Sequence, residues 1–299
     1  MVEKLNAQLD AARAAAATIT AHYQGKPGAG GDALKPLRIA ILLNSYRSRF
    51  IEAIRDSYVR TIGAVSPDSQ LAFFYPVERD DFPDPERFDL VVIGGSNVDA
   101  RKTSLFWVRR MHAFIARLAR DHPAKKVCGI CWGHQTISLA FGGEVVDSEP
   151  PQLGVAEIEL THHGRRFFGV AAQPANRGVG SLRLQQHHRR EVARMPKGFV
   201  PLASQNQCFV NEANTILTFQ GHPEKDAETA KLRIHDAERW FGTDLYDAEA
   251  VEKLRSCMEL EHDGELVWRR VLAWAAEAPS TSPVSSLSRT HGLPGASVL

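Results

Sequence analysis

Cysteine is scarce in this chain, with four residues in 299. So few over this length cannot make the disulfide framework of a small secreted scaffold, and a reducing, cytoplasmic setting is expected. No apolar run approaches the roughly 18 residues that a membrane-spanning helix needs, so a membrane is not expected as a partner. The stretch after Met1-Val2-Glu3-Lys4 is rich in alanine and lacks the strongly apolar core of a signal peptide. An excess of charge is missing too. The chain has 36 lysines and arginines against 35 aspartates and glutamates, a formal net charge of +1. That balance argues against nucleic acid as the main partner. No His/Cys spacing fits a zinc site, and the adjacent pairs His162-His163 and His187-His188 do not converge on one metal from regular structure. The Gly-rich stretch 25–32 lacks the flanking strand, helix and lysine of a phosphate loop. No motif calls for a metal or a cofactor, and there is no internal repeat.

What is present is the pattern of an α/β protein. The length suits one large domain with ample core, or two small ones. Residues 1–36 read as an Ala-rich extension followed by a Gly-rich linker, 37–277 as the folded region, and 278–299 as a Ser-, Pro- and Gly-rich disordered tail. Strand-length apolar runs fall at Leu37 to Leu43, Leu71 to Val77, Leu90 to Ile93 and Val127 to Ile130. Between them, Phe50, Ile51, Ile54, Tyr58 and Ile62 recur at helical spacing, as do Leu105, Val108, Met111, Ile115 and Leu118. A further helix is expected from Trp132 to Phe141, closed by Gly142-Gly143. Strands alternating with helices imply parallel βαβ units, with a mostly parallel central sheet and helices on both faces. Later strands are expected at Val155 to Leu160, Ser181 to Leu184 and Thr215 to Gln220. Helices follow around Ala227 to Trp240, Ala248 to Met258 and Leu266 to Trp274.

Two short motifs carry the chemistry. In Gly129-Ile130-Cys131-Trp132-Gly133-His134-Gln135, a cysteine between two glycines follows an apolar run. That suits a sharp strand-to-helix turn that lifts a nucleophile out of the backbone. The helix N-terminus beneath the sulfur, with a histidine nearby, favours thiolate. The backbone N–H of Trp132 would face a forming oxyanion, with a second donor at Gly94 or Gly95. Far downstream, Gln220-Gly221-His222-Pro223-Glu224 supplies a base and a carboxylate. If the chain stays extended there, His222 and Glu224 share a side, and Pro223 stiffens the segment. Cys131, His222 and Glu224 are then a nucleophile, a base and its orienter. Two other readings stand beside this one. Cys131 could be a buried structural cysteine, and Cys128-Gly129-Ile130-Cys131 is formally a redox C-x-x-C, although Cys128 lies inside the strand.

These residues resemble the class I glutamine amidotransferase family over roughly residues 38–277. Gly-Ile-Cys-Trp-Gly-His-Gln is similar to its nucleophile motif, and Gln-Gly-His-Pro-Glu to its histidine–glutamate motif. The resemblance implies the flavodoxin-like fold of that family. It also implies Gly95 and Trp132 at the oxyanion, with Gly94, Gln135 and His188 at the substrate. The stretch Leu182 to Ser204 is similar to the family's substrate-side loop. There, Arg189 and Arg190 stand where the family usually has an acidic residue. The implied chemistry is attack of Cys131 on a γ-glutamyl amide, a glutamyl thioester, and release of glutamate by water. The chain resembles stand-alone members most, since no synthetase domain is in view. Three readings follow: an amidohydrolase of glutamine or a γ-glutamyl peptide or conjugate, a glutaminase subunit serving a separate synthetase or acceptor enzyme, or a silent binding module.

Overall fold

The computed structural model of the protein describes residues 34–169, 180–232, 234 and 248–280. Of the expected extension and tail, residues 1–33 and 281–299 lie outside that set. The chain runs β1 (Arg38–Leu42), α1 (Ile51–Gly63), β2 (Gln70–Phe74), β3 (Leu90–Ile93), α2 (Phe106–Asp121), β4 (Lys126–Ile130) and α3 (Trp132–Ala140). Then come β5 (Glu144–Glu159), α4 (His162–Phe167), β6 (Ser181–Arg194), β7 (Phe199–Pro201), β8 (Cys208–Asn211) and β9 (Ile216–Phe219). The last helices are α5 (Ala227–Lys231), α6 (Ala248–Met258) and α7 (Gly264–Ala275).

Seven strands form the main sheet in the order β2-β1-β3-β4-β9-β8-β7. The first five are parallel, and β8 and β7 are added antiparallel. This is the flavodoxin-like order, with its switch point between β1 and β3. The strands are apolar on both faces because helices cover both. Ile39, Ile41, Leu90, Val92, Cys128, Leu217 and Phe219 point into one core, shared with Tyr58 and Ile62 of α1 and Trp268 and Val271 of α7. Their sequence neighbours Ala40, Leu42, Val91, Ile93, Val127 and Ile216 point into the other, with Val108, Met111 and Ile115 of α2 and Ile137 of α3. The alternation is the period-2 rule of a strand applied to two apolar layers. Burying each large side chain in such a layer contributes roughly 1.5–3 kcal/mol.

Several elements depart from expectation. β2 stops at Phe74, because Pro76 opens a helical turn, Pro76–Arg79. A proline suits the first position of a helix, where its missing N–H leaves no bond unmade. The strands expected at Val155 to Leu160 and Ser181 to Leu184 are parts of a long antiparallel ribbon, β5 with β6, paired from Glu144↔Arg194 to Glu159↔Ser181. The Leu182 to Ser204 stretch is therefore not a loop but mostly strand. A shift of register between Asp147 and Gln152 absorbs Pro150 and Pro151, residues that cannot donate to a ladder. Of the helix expected over Ala227 to Trp240, the described residues show α5. Among the described residues no helix is long and apolar enough to cross a membrane.

Candidate active site

The carboxyl ends of β1, β3, β4 and β9 converge on a cleft of about 630 Å³. Cys131 stands at the turn from β4 into α3, with φ 53° and ψ −101°. That backbone lies outside the regions an L-residue ordinarily occupies, and holding it costs on the order of 1–3 kcal/mol. Two bonds hold it. The Cys131 N–H donates to the Phe219 carbonyl at 2.8 Å, and the Cys131 carbonyl accepts from the Gln135 N–H at 3.0 Å. The flanking glycines let the turn close. A Cβ on Gly133 would overlap the carbonyl oxygen of Ile93, and one on Gly129 would lie 2.8 Å from the Gly133 backbone.

His222 follows β9, and its N–H donates to the Gln185 carbonyl of β6 at 2.9 Å. Its Nδ1 lies 2.7 Å from Oε1 of Glu224. The pair does not share a side because the chain is extended, as the spacing suggested. A turn brings them together, closed by the Lys225 N–H on the His222 carbonyl at 3.3 Å. Helix α1 anchors that turn: the Ser57 hydroxyl donates to the Glu224 carbonyl at 2.5 Å, and Nε of Arg60 to Asp226 at 2.8 Å. The position of a Cβ on Gly95 would lie 3.3 Å from Cε1 of His222 and 3.7 Å from Cβ of Cys131. Gly95 therefore lies against both His222 and Cys131. Nε2 of His222, buried, meets no acceptor in strict hydrogen-bonding geometry, yet the sulfur is its electrostatic neighbour.

All three groups are buried: Cys131 is 4%, His222 3% and Glu224 2% exposed. Burial pushes the Cys131 thiol up, and the charge of His222, helped by Lys225, more than reverses this, so the thiol sits below its ordinary value. Burial and Lys225 push His222 down, and Glu224 and Cys131 more than reverse that, so the imidazole sits above its ordinary value. Each of the pair thus favours the charged form of the other. The start of α3 adds partial positive charge under the sulfur. Cys128 behaves otherwise. It is fully buried in a strand, and burial pushes its thiol far up. That environment does not suit the C-x-x-C redox reading, which needs an accessible thiolate.

The expected substrate-side residues fall on two levels. Gly95, Gln135 and His188 line the cleft, together with Ser45, Arg189 and Lys225. Gly94 is not among the lining residues, and a Cβ there would come within 2.9 Å of the Leu42 carbonyl and 3.0 Å of the Tyr58 hydroxyl. Its carbonyl accepts from Nδ2 of Asn44 at 3.1 Å, so Gly94 ties β3 to β1. The Trp132 indole is also turned away, stacked 4.9 Å from Trp107, leaving only its backbone N–H for the site. That N–H is at the first turn of α3, where intrahelical acceptors are lacking. Nε2 of Gln135 donates to the Arg190 carbonyl at 2.7 Å and to Oε1 of Gln220 at 3.2 Å, bracing α3 against β6 and β9. Burial pushes His188 down to about 3, so it is neutral, and its Nε2 lies 3.1 Å from Oε1 of Gln186.

A family model described as glutamine amidotransferase class-I matches residues 72–238, over half of the chain. The chain belongs to the class I glutamine amidotransferase family. Glutamine amidotransferase-like protein chyE of Penicillium rubens is 32% identical over 250 residues, covering 82% of this chain and all of that protein. Gamma-glutamyl peptidase 3 of Arabidopsis thaliana is 26% identical, covering 78% of this chain and 94% of that one. A solved glutamine amidotransferase from Thermotoga maritima superposes with a TM-score of 0.59 at 17% identity, over 81% of this chain and all of that one, and shares its fold. The span matched by the amidotransferase model includes Gly95, Cys131, Gln135, His222 and Glu224. Two contributors to the site escaped the sequence reading. Ser57 sits in the middle of α1 with nothing in its neighbours to link it to Glu224. Lys225 directly follows the histidine–glutamate motif, and its adjacency to Glu224 was the available signal.

Proposed function

We propose that this chain hydrolyses a γ-glutamyl amide, with Cys131 as nucleophile, His222 as proton carrier and Glu224 as its orienter. What supports this reading above all is the 2.7 Å contact of Glu224 with Nδ1 of His222, which leaves Nε2 for the sulfur of a strained elbow cysteine. The Cys131 thiolate attacks the amide carbon. The carbonyl oxygen takes up negative charge between the N–H groups of Trp132 and Gly95. Imidazolium His222 gives its proton to the departing amine nitrogen as the C–N bond breaks, leaving a glutamyl thioester. Water, deprotonated by His222, attacks the thioester, glutamate departs and the thiolate is restored. Gln135 and His188 contribute to holding the glutamyl group. The reaction needs a reduced thiol, which fits a cytoplasmic protein. The stand-alone reading draws support from the relatives, since the match covers the whole of the chyE protein and nearly all of the Arabidopsis peptidase.

The test is a panel of glutamine, γ-glutamyl dipeptides and glutathione, with released glutamate as the readout. The expected outcome is glutamate from at least one donor with the unmodified chain and none with Cys131→Ala. No glutamate from any donor would overturn the hydrolase reading. Turnover that appears only on adding an ammonia-consuming synthetase would move the chain to the role of a glutaminase subunit.

A further inference from the structure

The cleft extends past the residues proposed to react. It crosses the carboxyl edge of the sheet from one apolar layer toward the other. At one end is α3, which carries Gln135 and packs through Trp132 and Ile137 into the layer of Val108 and Met111. At the other end is α1, which packs into the layer of Tyr58 and Trp268. Ser57 of α1 donates to the Glu224 carbonyl, so the turn bearing His222 and Glu224 stands on the α1 side. Ile54 lies one turn before Ser57 on that helix. It lines the cleft, is half-buried, and packs against the core under α1. Ser45, which follows β1, lines the same end and is only 7% exposed. Its hydroxyl makes no hydrogen bond among the described residues, so it is open to a polar atom of a ligand. Ser96 and Asn97, from the loop after β3, complete that end, and none of these side chains carries a charge. His222 gives its proton to the departing nitrogen, so that nitrogen faces the α1 end while Gln135 keeps the glutamyl group at the other. Whatever the nitrogen carries then lies along Ser45 and Ile54. Ammonia, which glutamine releases, is no larger than a water and leaves Ile54 wet. An alkyl substituent would cover it.

We propose that Ser45 and Ile54 form a subsite for the leaving group, and that the preferred donor is a γ-glutamyl amide whose nitrogen carries an uncharged substituent of a few carbons. Ile54 is its specificity-determining residue, and Ser45 is a neutral hydrogen-bonding contact. The identity of the occupant as a leaving group rests on the hydrolase reading above. The apolar subsite in the cleft of Cys131 does not.

The test compares kcat/KM of the full chain for glutamine and for the γ-glutamyl methyl-, ethyl-, propyl- and butylamides, with released glutamate as the readout. These alkylamines are close in basicity, so the amide series varies fit and not leaving-group chemistry. Each added methylene should raise kcat/KM by about threefold until the subsite is full, the gain for a CH₂ taken largely out of water. The best amide should exceed glutamine by about tenfold. Ile54→Ala should flatten the rise to less than about twofold per methylene, and Ile54→Phe should end it at a shorter amide. The propylamide and the 2-hydroxyethylamide match in size. In Ser45→Ala the rate for the second relative to the first should fall about fivefold, because its hydroxyl then lacks a partner. The series for the unmodified chain decides the matter even if the Ile54 variants do not fold. A second arm needs no substrate. Cys128, Cys208 and Cys257 are buried, with thiols pushed up by burial, so loss of free thiol to N-alkyl iodoacetamides reports on Cys131. Relative to N-acetylcysteine, that rate should rise from the methyl to the butyl reagent, and rise less in Ile54→Ala. The proposal is overturned if all the amides release glutamate equally fast, if glutamine is the best donor, or if Ile54→Ala and Ile54→Phe both fold and leave the series unmoved. A rising alkylation series with no glutamate from any donor would remove the hydrolase reading and leave the subsite standing. A level alkylation series with no glutamate would remove both.

Discussion

The thiol of Cys131 is pulled two ways. Burial alone would keep it protonated, and it is His222, with Lys225 behind it, that turns the balance toward thiolate. His222 in turn stays protonated because Glu224 and the sulfur outweigh burial and Lys225. The reactive form is thus the thiolate–imidazolium pair. It appears as pH rises through the lowered thiol pKa and disappears as pH rises further through the raised imidazole pKa. Removing the imidazole leaves burial as the main influence, so in His222→Asn the inflection of iodoacetamide alkylation should move to higher pH. An unmoved inflection would show that His222 does not activate the sulfur. In turnover, Cys131→Ala and His222→Asn should each lose roughly 10⁴-fold or more in kcat, with Glu224→Gln losing less, because a catalytic unit fails when either reacting member is removed. Single-turnover and steady-state glutamate release would measure this. The grouping of Cys131, His222 and Glu224 was legible because each sits in a short motif whose residue types have few other uses together.

Among the elements, the ribbon of β5 and β6 was the least legible. Gln185, Gln186, His187 and His188 are all buried, and a run of polar residues shows no period-2 alternation to mark a strand. His187 and His188 are buried because they wall the cleft, and Gln185 because its Nε2 donates to the Met258 carbonyl at 2.7 Å, which are tertiary causes invisible in the local sequence. Pro150 and Pro151 hid β5 from the local pattern, and β7, at three residues, is too short to stand out. The parallel strand β3, by contrast, is an unbroken apolar run, and β1 and β4 are apolar after their first residue. The ribbon is fastened to the loop after β3 by charges. Arg190 of β6 and Arg101 both meet Asp99 and Asp147, with Arg101 at 2.7 and 3.1 Å. Such half-exposed pairs contribute little to stability, about 0–1 kcal/mol each, but they fix where the strand lies. Arg190→Gln should therefore raise KM by roughly threefold or more while leaving the melting temperature within a few degrees. Asp99→Asn should do the same, and the double variant should lose less than the sum of the two, since both remove the Arg190–Asp99 contact. Additive losses in that cycle would mean that the two residues act separately.

The whole molecule is a sheet between two apolar layers, and one of those layers reaches up to the site. Trp268 of α7 is fully buried and meets Tyr58 of α1 edge to face at 6.2 Å. The Tyr58 hydroxyl in turn lies under Gly94. Trp268→Ala should cost about 3–5 kcal/mol, the usual penalty for emptying so large a space, and urea unfolding would measure it. A loss under about 1 kcal/mol would show that this layer is not packed as described. Two-layer architecture was legible from the spacing of apolar residues, but the pairing of α1 with α7 was not, because contacts between distant helices leave no local pattern. The left-handed backbone at Cys131 works against this stability. In the interior of a helix or strand, glycine is less stable than alanine by roughly 0.5–1 kcal/mol. Here the order should invert, with Cys131→Gly more stable than Cys131→Ala by about 0.5–2 kcal/mol, because only glycine relaxes at that φ and ψ. Equal or lower stability for the glycine variant would remove the strain. If the inversion holds, a chain that abandons its nucleophile gains in foldedness what it loses in reactivity. Reactive thiol and robust fold are then rivals for a single residue, and a thermostable version of this protein must be sought everywhere except there.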